Sequence, residues 1–240
     1  MNLRALTLAV LLAAGGHHIP VHTKGTPPSR MTQCCTPPGV SPQNVIMPLG
    51  DSITVGYCST SGDGYRGPLD GLLSTHVWAG SQQSDIGHHE GHGGWAIDPL
   101  ADNVQGWIAQ VTPAPQVVLV DAGTNDDEQN RSGAQMLASM SRLLDNTLAV
   151  DPNVKVVVAQ ITITTYNTAD QQVQEQIYDD GLPALAVAKG PRVRVVDMRG
   201  VELSPVPCAG GPEGVHPDDA GYSTMATRWH DTLVTAGWIR

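Results

Sequence analysis

The chain has 240 residues, and 40% of them are hydrophobic, which is enough to build the core of an ordinary globular domain. This length and composition exclude a peptide toxin and a disordered chain. Thirteen Lys and Arg stand against 23 Asp and Glu, which leaves a formal net charge of -10. Because a non-specific phosphate-binding surface needs clustered cationic side chains, we expect no nucleic-acid partner.

The first twenty residues have the pattern of a secretory signal peptide. Arg4 precedes an apolar run, Ala5–Ala14, which is followed by small residues and is too short to span a bilayer. We therefore expect residues 1–20 to be a signal peptide and the mature protein to be secreted. Residues 21–42 contain two Pro-Pro pairs and no apolar periodicity, which predicts an extended leader. No later stretch reaches about 18 apolar residues, so no membrane partner is expected.

From residue 43 to residue 240, short apolar runs alternate with helical patterns. The runs are rich in β-branched residues and apolar at successive positions, which is typical of strands buried on both faces. A weaker strand is predicted around His76–Gly80. The four stronger runs are Val45–Leu49, Val117–Val120, Val154–Ile161 and Val193–Val196.

Helical patterns lie between these runs and after the last of them. A capping box formed by Thr168 and Gln171 predicts the start of one helix, which Pro183 is expected to end or kink. Because parallel neighbouring strands need crossover connections, the alternation predicts a five-stranded parallel sheet between two layers of helices, an α/β/α sandwich. Two further helices show apolar stripes, formed by Leu137, Met140, Leu144 and Leu148 and by Tyr222, Met225, Trp229 and Leu233.

Several residues with reactive or polar side chains occupy the ends of predicted elements. Ser52 follows the first strand, at the edge where open α/β sheets hold ligands, although a serine there is also a common helix cap. Asn125 follows a later strand at the same edge, or caps a turn. Glu213 precedes His216 by three residues, so its carboxylate could accept the proton of one ring nitrogen and leave the other as a base. Together they are the parts of a nucleophilic hydrolase.

The chain resembles the SGNH, or GDSL-type, hydrolases in four short motifs that occur in the same order. The resemblance covers roughly residues 45–238 and implies the flavodoxin-like SGNH hydrolase fold. Within that family it looks most like carbohydrate esterase family 3, which includes acetylxylan esterases. The motifs are Gly-Asp-Ser at 50–52, Gly-His-Gly-Gly-Trp at 91–95, Gly-Thr-Asn-Asp at 123–126 and Glu-Gly-Val-His at 213–216, and the family 3 likeness rests on residues 47–54, 65–66 and 89–95.

The resemblance implies a serine esterase that removes acetyl groups from a polysaccharide or oligosaccharide without a metal or organic cofactor. Ser52 would attack the ester carbonyl and His216 would carry its proton to the leaving alcohol. The oxyanion would be bound by the backbone N–H groups of Ser52 and Gly94 and by the amide of Asn125. Gly94 is preferred to the two earlier glycines of its motif because it aligns with the family's glycine.

Two alternatives to this function stay open at this point. One is a GDSL lipase or general short-chain carboxylesterase. The other is a non-catalytic carbohydrate-binding protein on the same fold. The binding-protein alternative rests on a departure from the family pattern, because the family usually has Asp at the position of Glu213. If the longer side chain does not reach His216, a backbone carbonyl, Asp218 or Asp219 could orient the ring instead.

Two further clusters are weighed for metal binding and for disulfide formation. The histidines of residues 88–92 do not have the His-Glu-x-x-His spacing of a zinc protease helix, so a solvated loop is expected there, with Trp95 in the wall of the site. The acidic run 126–128 is typical of a solvated face, unless Asp126 braces the Asn125 loop. Four cysteines allow three complete pairings, and Cys58 with Cys208 is favoured because each lies near a motif of the site.

Overall fold

The computed structural model describes residues 44–208 and 211–239, without the side chains of residues 127 and 128. The predicted signal peptide and leader, together with Cys34 and Cys35, lie outside these residues. Within them the chain forms seven strands. They are β1 (Asn44–Gly50), β2 (His76–Trp78), β3 (Gln82–Ser84), β4 (Gly87–Gly91), β5 (Val117–Asp121), β6 (Lys155–Gln160) and β7 (Val193–Asp197).

The strands form one mostly parallel sheet in the order β3-β4-β1-β5-β6-β7, and β2 pairs with β1. Only the β3–β4 pair is antiparallel among the described strands. Strand β5 is buried along its whole length, and β1 and β6 are buried at every position but the first. The predicted parallel sheet is therefore confirmed, and its central strands are the apolar runs. It has seven strands rather than the predicted five, because the short polar strands β3 and β4 extend it.

Seven helices accompany the sheet in the described part of the chain. One hydrophobic core lies between the sheet and the third, fifth and sixth helices, and a second core joins the opposite face to the second and seventh. This is the predicted three-layer arrangement. The helices are α1 (Ser52–Val55), α2 (Arg66–Leu72), α3 (Ile97–Gln110), α4 (Thr124–Glu128), α5 (Gly133–Val150), α6 (Ala169–Lys189) and α7 (Asp219–Thr235).

The two predicted apolar stripes face these cores. In α7 all four stripe residues are buried, and Trp229 is fully so. In α5 Met140 and Leu144 are buried, whereas Leu137 and Leu148 are only partly buried at the edge of the first core. No helix in the described residues combines the length and the apolar character that crossing a membrane requires.

Helix α6 begins at the predicted capping box but does not end at Pro183. It continues through the proline to Lys189, so of the two outcomes expected at Pro183, an end or a kink, the end is wrong. Proline cannot donate to the carbonyl four residues earlier, which belongs to Asp179. The side-chain amide of Gln160 donates to that carbonyl at 2.9 Å instead. A neighbouring strand thus satisfies the group that the proline leaves without its helical partner.

Strands β3 and β4 replace the solvated loop that was expected around residues 88–92. Strand β4 pairs with β1 through Glu90 opposite Leu49 and Gly91 opposite Gly50. Glu90 is fully buried, because its carboxylate accepts hydrogen bonds from the backbone N–H and the hydroxyl of Ser81 and from His92. These bonds let a polar segment occupy the sheet without any apolar pattern in its sequence.

Candidate active site

The turn between β1 and α1 places Ser52 at the carboxyl edge of the sheet. Gly50 allows the chain to pass close to β5, because a Cβ there would lie 2.0 Å from the carbonyl oxygen of Asp121. The side chain of Asp51 caps α1 by accepting a hydrogen bond from the backbone N–H of Ile53 at 2.9 Å. Because Asp51 is the cap, the hydroxyl of Ser52 is left for another partner.

That partner is His216, whose Nε2 lies 2.7 Å from Oγ of Ser52. The loop that carries His216 is held from both sides. The backbone N–H of Ser204 donates to the carbonyl of His216 at 2.8 Å, and the carbonyl of Gly214 accepts from the N–H of Thr165 at 3.0 Å. Both Ser52 and His216 are buried, with 8% and 3% of their surfaces exposed.

Burial also sets the protonation state of the imidazole. Loss of solvation lowers the pKa of His216 below its usual value, because burial disfavours the charged ring. A neutral ring with its proton on Nδ1 accepts the hydroxyl proton of Ser52 at Nε2. The pair therefore has the arrangement of a nucleophile and its general base.

The structure does not bring Glu213 to this ring. Its side chain is exposed and lines a cavity of about 560 Å³ beside the loop. Nδ1 of His216 is buried and has no hydrogen-bond partner among the described residues. Neither of the alternative carboxylates replaces it, since Asp218 caps α7 through the N–H of Gly221 and Asp219 accepts from the N–H and hydroxyl of Thr60. In the described part of the chain no backbone carbonyl takes this role either.

Asn125 connects the turn that carries Ser52 with the loop of residues 92–95 that follows β4, here called the glycine loop. Its side-chain amide donates to Oδ2 of Asp51 at 3.1 Å and to the carbonyl of Trp95 at 3.0 Å. Asp51 and Trp95 are the direct neighbours of Ser52 and Gly94. The three candidate oxyanion donors therefore belong to segments that meet at one edge of the sheet. Gly94 has φ +80°, in the left-handed region that favours glycine.

Asp126 is fully buried rather than part of a solvated face. Its carboxylate accepts from the backbone N–H of Ile97 at 2.8 Å and from the guanidinium of Arg131 at 3.0 Å. These bonds attach the start of α3 to α4, the helix that carries Asn125. The alternative that Asp126 braces the Asn125 segment therefore agrees with its contacts.

A disulfide joins Cys58 to Cys208, the pairing favoured from the sequence. Both sulfur atoms lie within 4.8 Å of a ring nitrogen of His216. These three side chains are the one group of potential metal ligands found in the described residues. Since both sulfurs are bonded to each other, they are not the thiolates that a metal site would use.

Three supporting groups were not identified from the sequence. His92 donates to Glu90 at 2.9 Å and packs against Trp95 and Trp107 with ring centroids 4.5 Å away, so it links the glycine loop to β4 and α3. Arg66, fully buried, donates to the carbonyls of residues 54 and 55 at the end of α1. Asp121 is buried at the end of β5 with Oδ2 unpartnered among the described residues, and burial raises its pKa to about 7.

Comparison with known proteins identifies a family and several solved structures that are similar to this chain. The model of the GDSL-like Lipase/Acylhydrolase family matches residues 49–223, well over half of the chain. A comparison with curated protein sequences finds no match. A family 3 carbohydrate esterase from Clostridium thermocellum is 27% identical with a TM-score of 0.67, over 80% of this chain and 95% of that chain.

Two further solved structures share the fold. A carbohydrate esterase family 3 protein from Talaromyces cellulolyticus is 24% identical with a TM-score of 0.62, over 80% of this chain and 96% of that chain. An acetyl esterase mutant with acetate ion has the same identity, TM-score and coverage. The family match covers the Ser52 turn, the glycine loop, Asn125 and His216. The chain therefore belongs to the GDSL-like lipase/acylhydrolase family and is a carboxylic ester hydrolase.

Proposed function

We propose that the chain removes acetyl groups from a polysaccharide or oligosaccharide through a serine acyl-enzyme. The observation that carries this proposal is the 2.7 Å separation between Oγ of Ser52 and Nε2 of His216 at the carboxyl edge of the sheet. The substrate class is supported by the likeness to the Clostridium thermocellum family 3 carbohydrate esterase.

In the first half of the reaction Ser52 attacks the acetyl carbonyl while Nε2 of His216 takes the hydroxyl proton. The carbonyl oxygen becomes an oxyanion, which the N–H groups of Ser52 and Gly94 and the amide of Asn125 stabilise. Both N–H groups of the Asn125 side-chain amide donate hydrogen bonds in the free enzyme, so one of these bonds is exchanged for a bond to the oxyanion. Collapse of the intermediate breaks the ester bond, and His216 gives its proton to the leaving sugar oxygen, which departs as a hydroxyl.

In the second half water replaces the sugar. Nε2 of His216 takes a proton from the water as it attacks the acetyl group on Ser52. The second tetrahedral intermediate is stabilised by the same donors and collapses to release acetic acid, which loses its proton to the solvent as acetate. The proton on His216 returns to Oγ of Ser52, so the enzyme regains its starting state without a cofactor.

We also propose that the protein acts after export. The apolar run and small residues in positions 1–20 support a signal peptide. The Cys58–Cys208 disulfide adds support from an independent feature, because disulfides persist mainly in oxidising compartments. Mass spectrometry of the N-terminus of the protein from the culture medium tests this proposal. A chain that still begins at Met1 inside the cell would contradict it.

The competing function is a lipase or a general short-chain esterase, which the name of the matched family includes. Acetate release from acetylated xylan, compared with hydrolysis of p-nitrophenyl acetate, butyrate and octanoate, separates the two. We expect fast acetate release and a steep fall in rate with acyl length. Preference for the octanoate ester would overturn the carbohydrate assignment.

A fluorophosphonate that reacts with activated serines tests the chemistry itself. We expect one label, on Ser52, and no label on a Ser52→Ala variant. Labelling of a different serine would move the nucleophile elsewhere. A folded protein that takes up no label and cleaves no ester would contradict the proposed reaction.

A further inference from the structure

The ring of His216 lacks the hydrogen bond that would ordinarily fix its orientation. A general base must present one nitrogen to the nucleophile, and a carboxylate on the other nitrogen usually holds the ring in that orientation. Here Nδ1 is buried without a hydrogen-bond partner in the part of the chain that is described, and the carboxylate of Glu213 is exposed. On its Nδ1 side the described residues therefore orient the ring by packing, and the hydrogen bond to Ser52 is made only at Nε2.

Three groups pack around the ring. The ring of Tyr57 is tilted by 56° with its centroid 5.6 Å from that of His216. The backbone at Gly211 lies so close that an added Cβ would be 2.8 Å from Nδ1 and 2.6 Å from Cε1. Both sulfurs of the disulfide lie within 4.8 Å of a ring nitrogen.

The disulfide connects the other two groups. Cys58 follows Tyr57 directly, and the N–H of Tyr57 donates to the carbonyl of Ser52 at 3.1 Å. Cys208 pairs with Gly211 through two backbone hydrogen bonds of 3.1 and 3.2 Å. The disulfide therefore covalently joins two segments. One contains Tyr57 and is hydrogen-bonded to the backbone of Ser52, and the other contains Gly211 and lies against the His216 ring at Nδ1. The two cysteines are 150 residues apart in the chain.

We propose that the Cys58–Cys208 disulfide is a positioning element that holds the His216 ring against Ser52, and that ester hydrolysis therefore depends on its oxidation state. The inference rests on the proposed function of Ser52 and His216. The disulfide assumes the orienting role for which the Glu213 carboxylate is not placed. It does so by restricting the space of the ring rather than by accepting a hydrogen bond.

Reduction breaks this connection. A water-soluble phosphine cleaves the S–S bond and is oxidised to its phosphine oxide, while water supplies the oxygen atom and the two protons of the new thiols. The segment around Cys208 is then no longer linked to Cys58, and only non-covalent contacts hold it beside the His216 ring. The His216 ring gains freedom to rotate, and the fraction of molecules with Nε2 at Ser52 falls. A misplacement of about 1 Å can cost about 10²-fold in rate.

The test uses the full chain with Cys34→Ser and Cys35→Ser, so that one disulfide is the only redox group. Acetate release from an acetylated xylo-oligosaccharide is measured before phosphine treatment, after it, and after reoxidation. Near-ultraviolet circular dichroism is recorded in each state. We expect kcat to fall by about 10- to 100-fold on reduction, with little change in KM, and to return on reoxidation. The circular dichroism should stay that of the folded protein.

A second variant removes the bond without any reductant. Cys58→Ser with Cys208→Ser in the same background should have the low kcat of the reduced enzyme, and the phosphine should not change it. Each assay is run with and without EDTA, because two free thiols beside His216 could bind a trace metal. If a reduced enzyme recovers its rate when EDTA is added, metal capture explains the loss and the positioning role is overturned.

The pH profile distinguishes positioning from stabilisation. Burial lowers the pKa of His216, and a loosened ring regains solvent. The acid limb of kcat/KM should therefore move to higher pH on reduction. An unchanged kcat, an unchanged acid limb, or a loss of the folded spectrum together with activity would each overturn the inference. An oxidised enzyme that neither cleaves esters nor takes a fluorophosphonate label would instead overturn the proposed function.

Discussion

Oγ of Ser52 lies 2.7 Å from Nε2 of His216, although 164 residues separate them in the chain. The parallel sheet explains the encounter. Ser52 follows β1 at the carboxyl edge, and the loop before α7 returns to the same edge. Loop hydrogen bonds from Ser204 and Thr165 then bring the imidazole to the hydroxyl.

Replacing Ser52 with alanine should remove ester hydrolysis and leave the fold intact. The change deletes the nucleophile but opens no core cavity, so we expect a loss of at least about 10⁴-fold in kcat. The thermal midpoint should stay within about 2 °C of the parent. Ser223→Ala, at an exposed position of α7, is the matched control and should retain full activity. Substantial hydrolysis by Ser52→Ala would assign the nucleophile to another residue.

Replacing Asn125 with alanine should lower kcat by about 10²- to 10³-fold, which corresponds to about 2.7–4 kcal/mol of transition-state stabilisation. KM should change little, because the oxyanion forms only after binding. Asn103→Ala removes an exposed amide from α3 and serves as the control. If Asn125→Ala raises KM and preserves kcat, the amide binds substrate rather than the oxyanion.

Glu213→Gln should leave kcat within about twofold of the parent, since its carboxylate is exposed and the structure gives it no bond to His216. This outcome differs from what the family pattern implies for the position. Glu202→Gln, another exposed carboxylate nearby in sequence, controls for the loss of charge. A tenfold or larger fall in kcat for Glu213→Gln alone would show that the carboxylate reaches the ring during turnover.

The acid limb of the pH profile should lie below the ordinary histidine pKa of about 6.5. Burial lowers the pKa of His216, so the ring stays neutral at lower pH than an exposed histidine. Since the base must be neutral, kcat/KM should fall only when the pH drops through that lowered pKa. Rates on p-nitrophenyl acetate between pH 4 and 8 measure it. A limb at pH 7 or above would contradict the assignment.

Asp121→Asn should make the protein less sensitive to rising pH. Burial raises the pKa of Asp121 to about 7, whereas the unfolded chain loses this proton near pH 4. The folded state thus holds the extra proton, and its stability falls as the pH rises from about 4 to about 7.

Asparagine does not titrate. The free energy of unfolding of the variant, relative to that of the parent, should therefore rise over that window by about 1.4 kcal/mol for each unit of pKa difference. Urea unfolding at pH 4, 5, 6, 7 and 8 measures the free energy of unfolding. Asp70→Asn, on a partly exposed carboxylate, is the control. Parallel pH dependences for Asp121→Asn and the parent would show that Asp121 does not carry a raised pKa.

Much of the fold was predictable because its elements bury continuous apolar surfaces. Strands β1, β5 and β6 are recognisable as β-branched runs, and α7 as a stripe that is wholly buried. Strand β4 was not predictable from the sequence, because Glu90 and its neighbours enter the sheet through hydrogen bonds to residues that no local pattern marks. The continuation of α6 past Pro183 depends likewise on Gln160 from a different element.

The amino-acid sequence alone determined the fold class, the order of the four motifs and the residue types that an acyl transfer needs, because these follow from local periodicity and from short patterns. The tertiary structure decided which groups meet. Ser52 meets His216, the amide of Asn125 joins two loops, and the side chain of Glu213 turns to the surface. The direction of a side chain on a long loop depends on contacts with distant segments, so spacing by itself could not reveal that a disulfide, rather than Glu213, lies beside the imidazole.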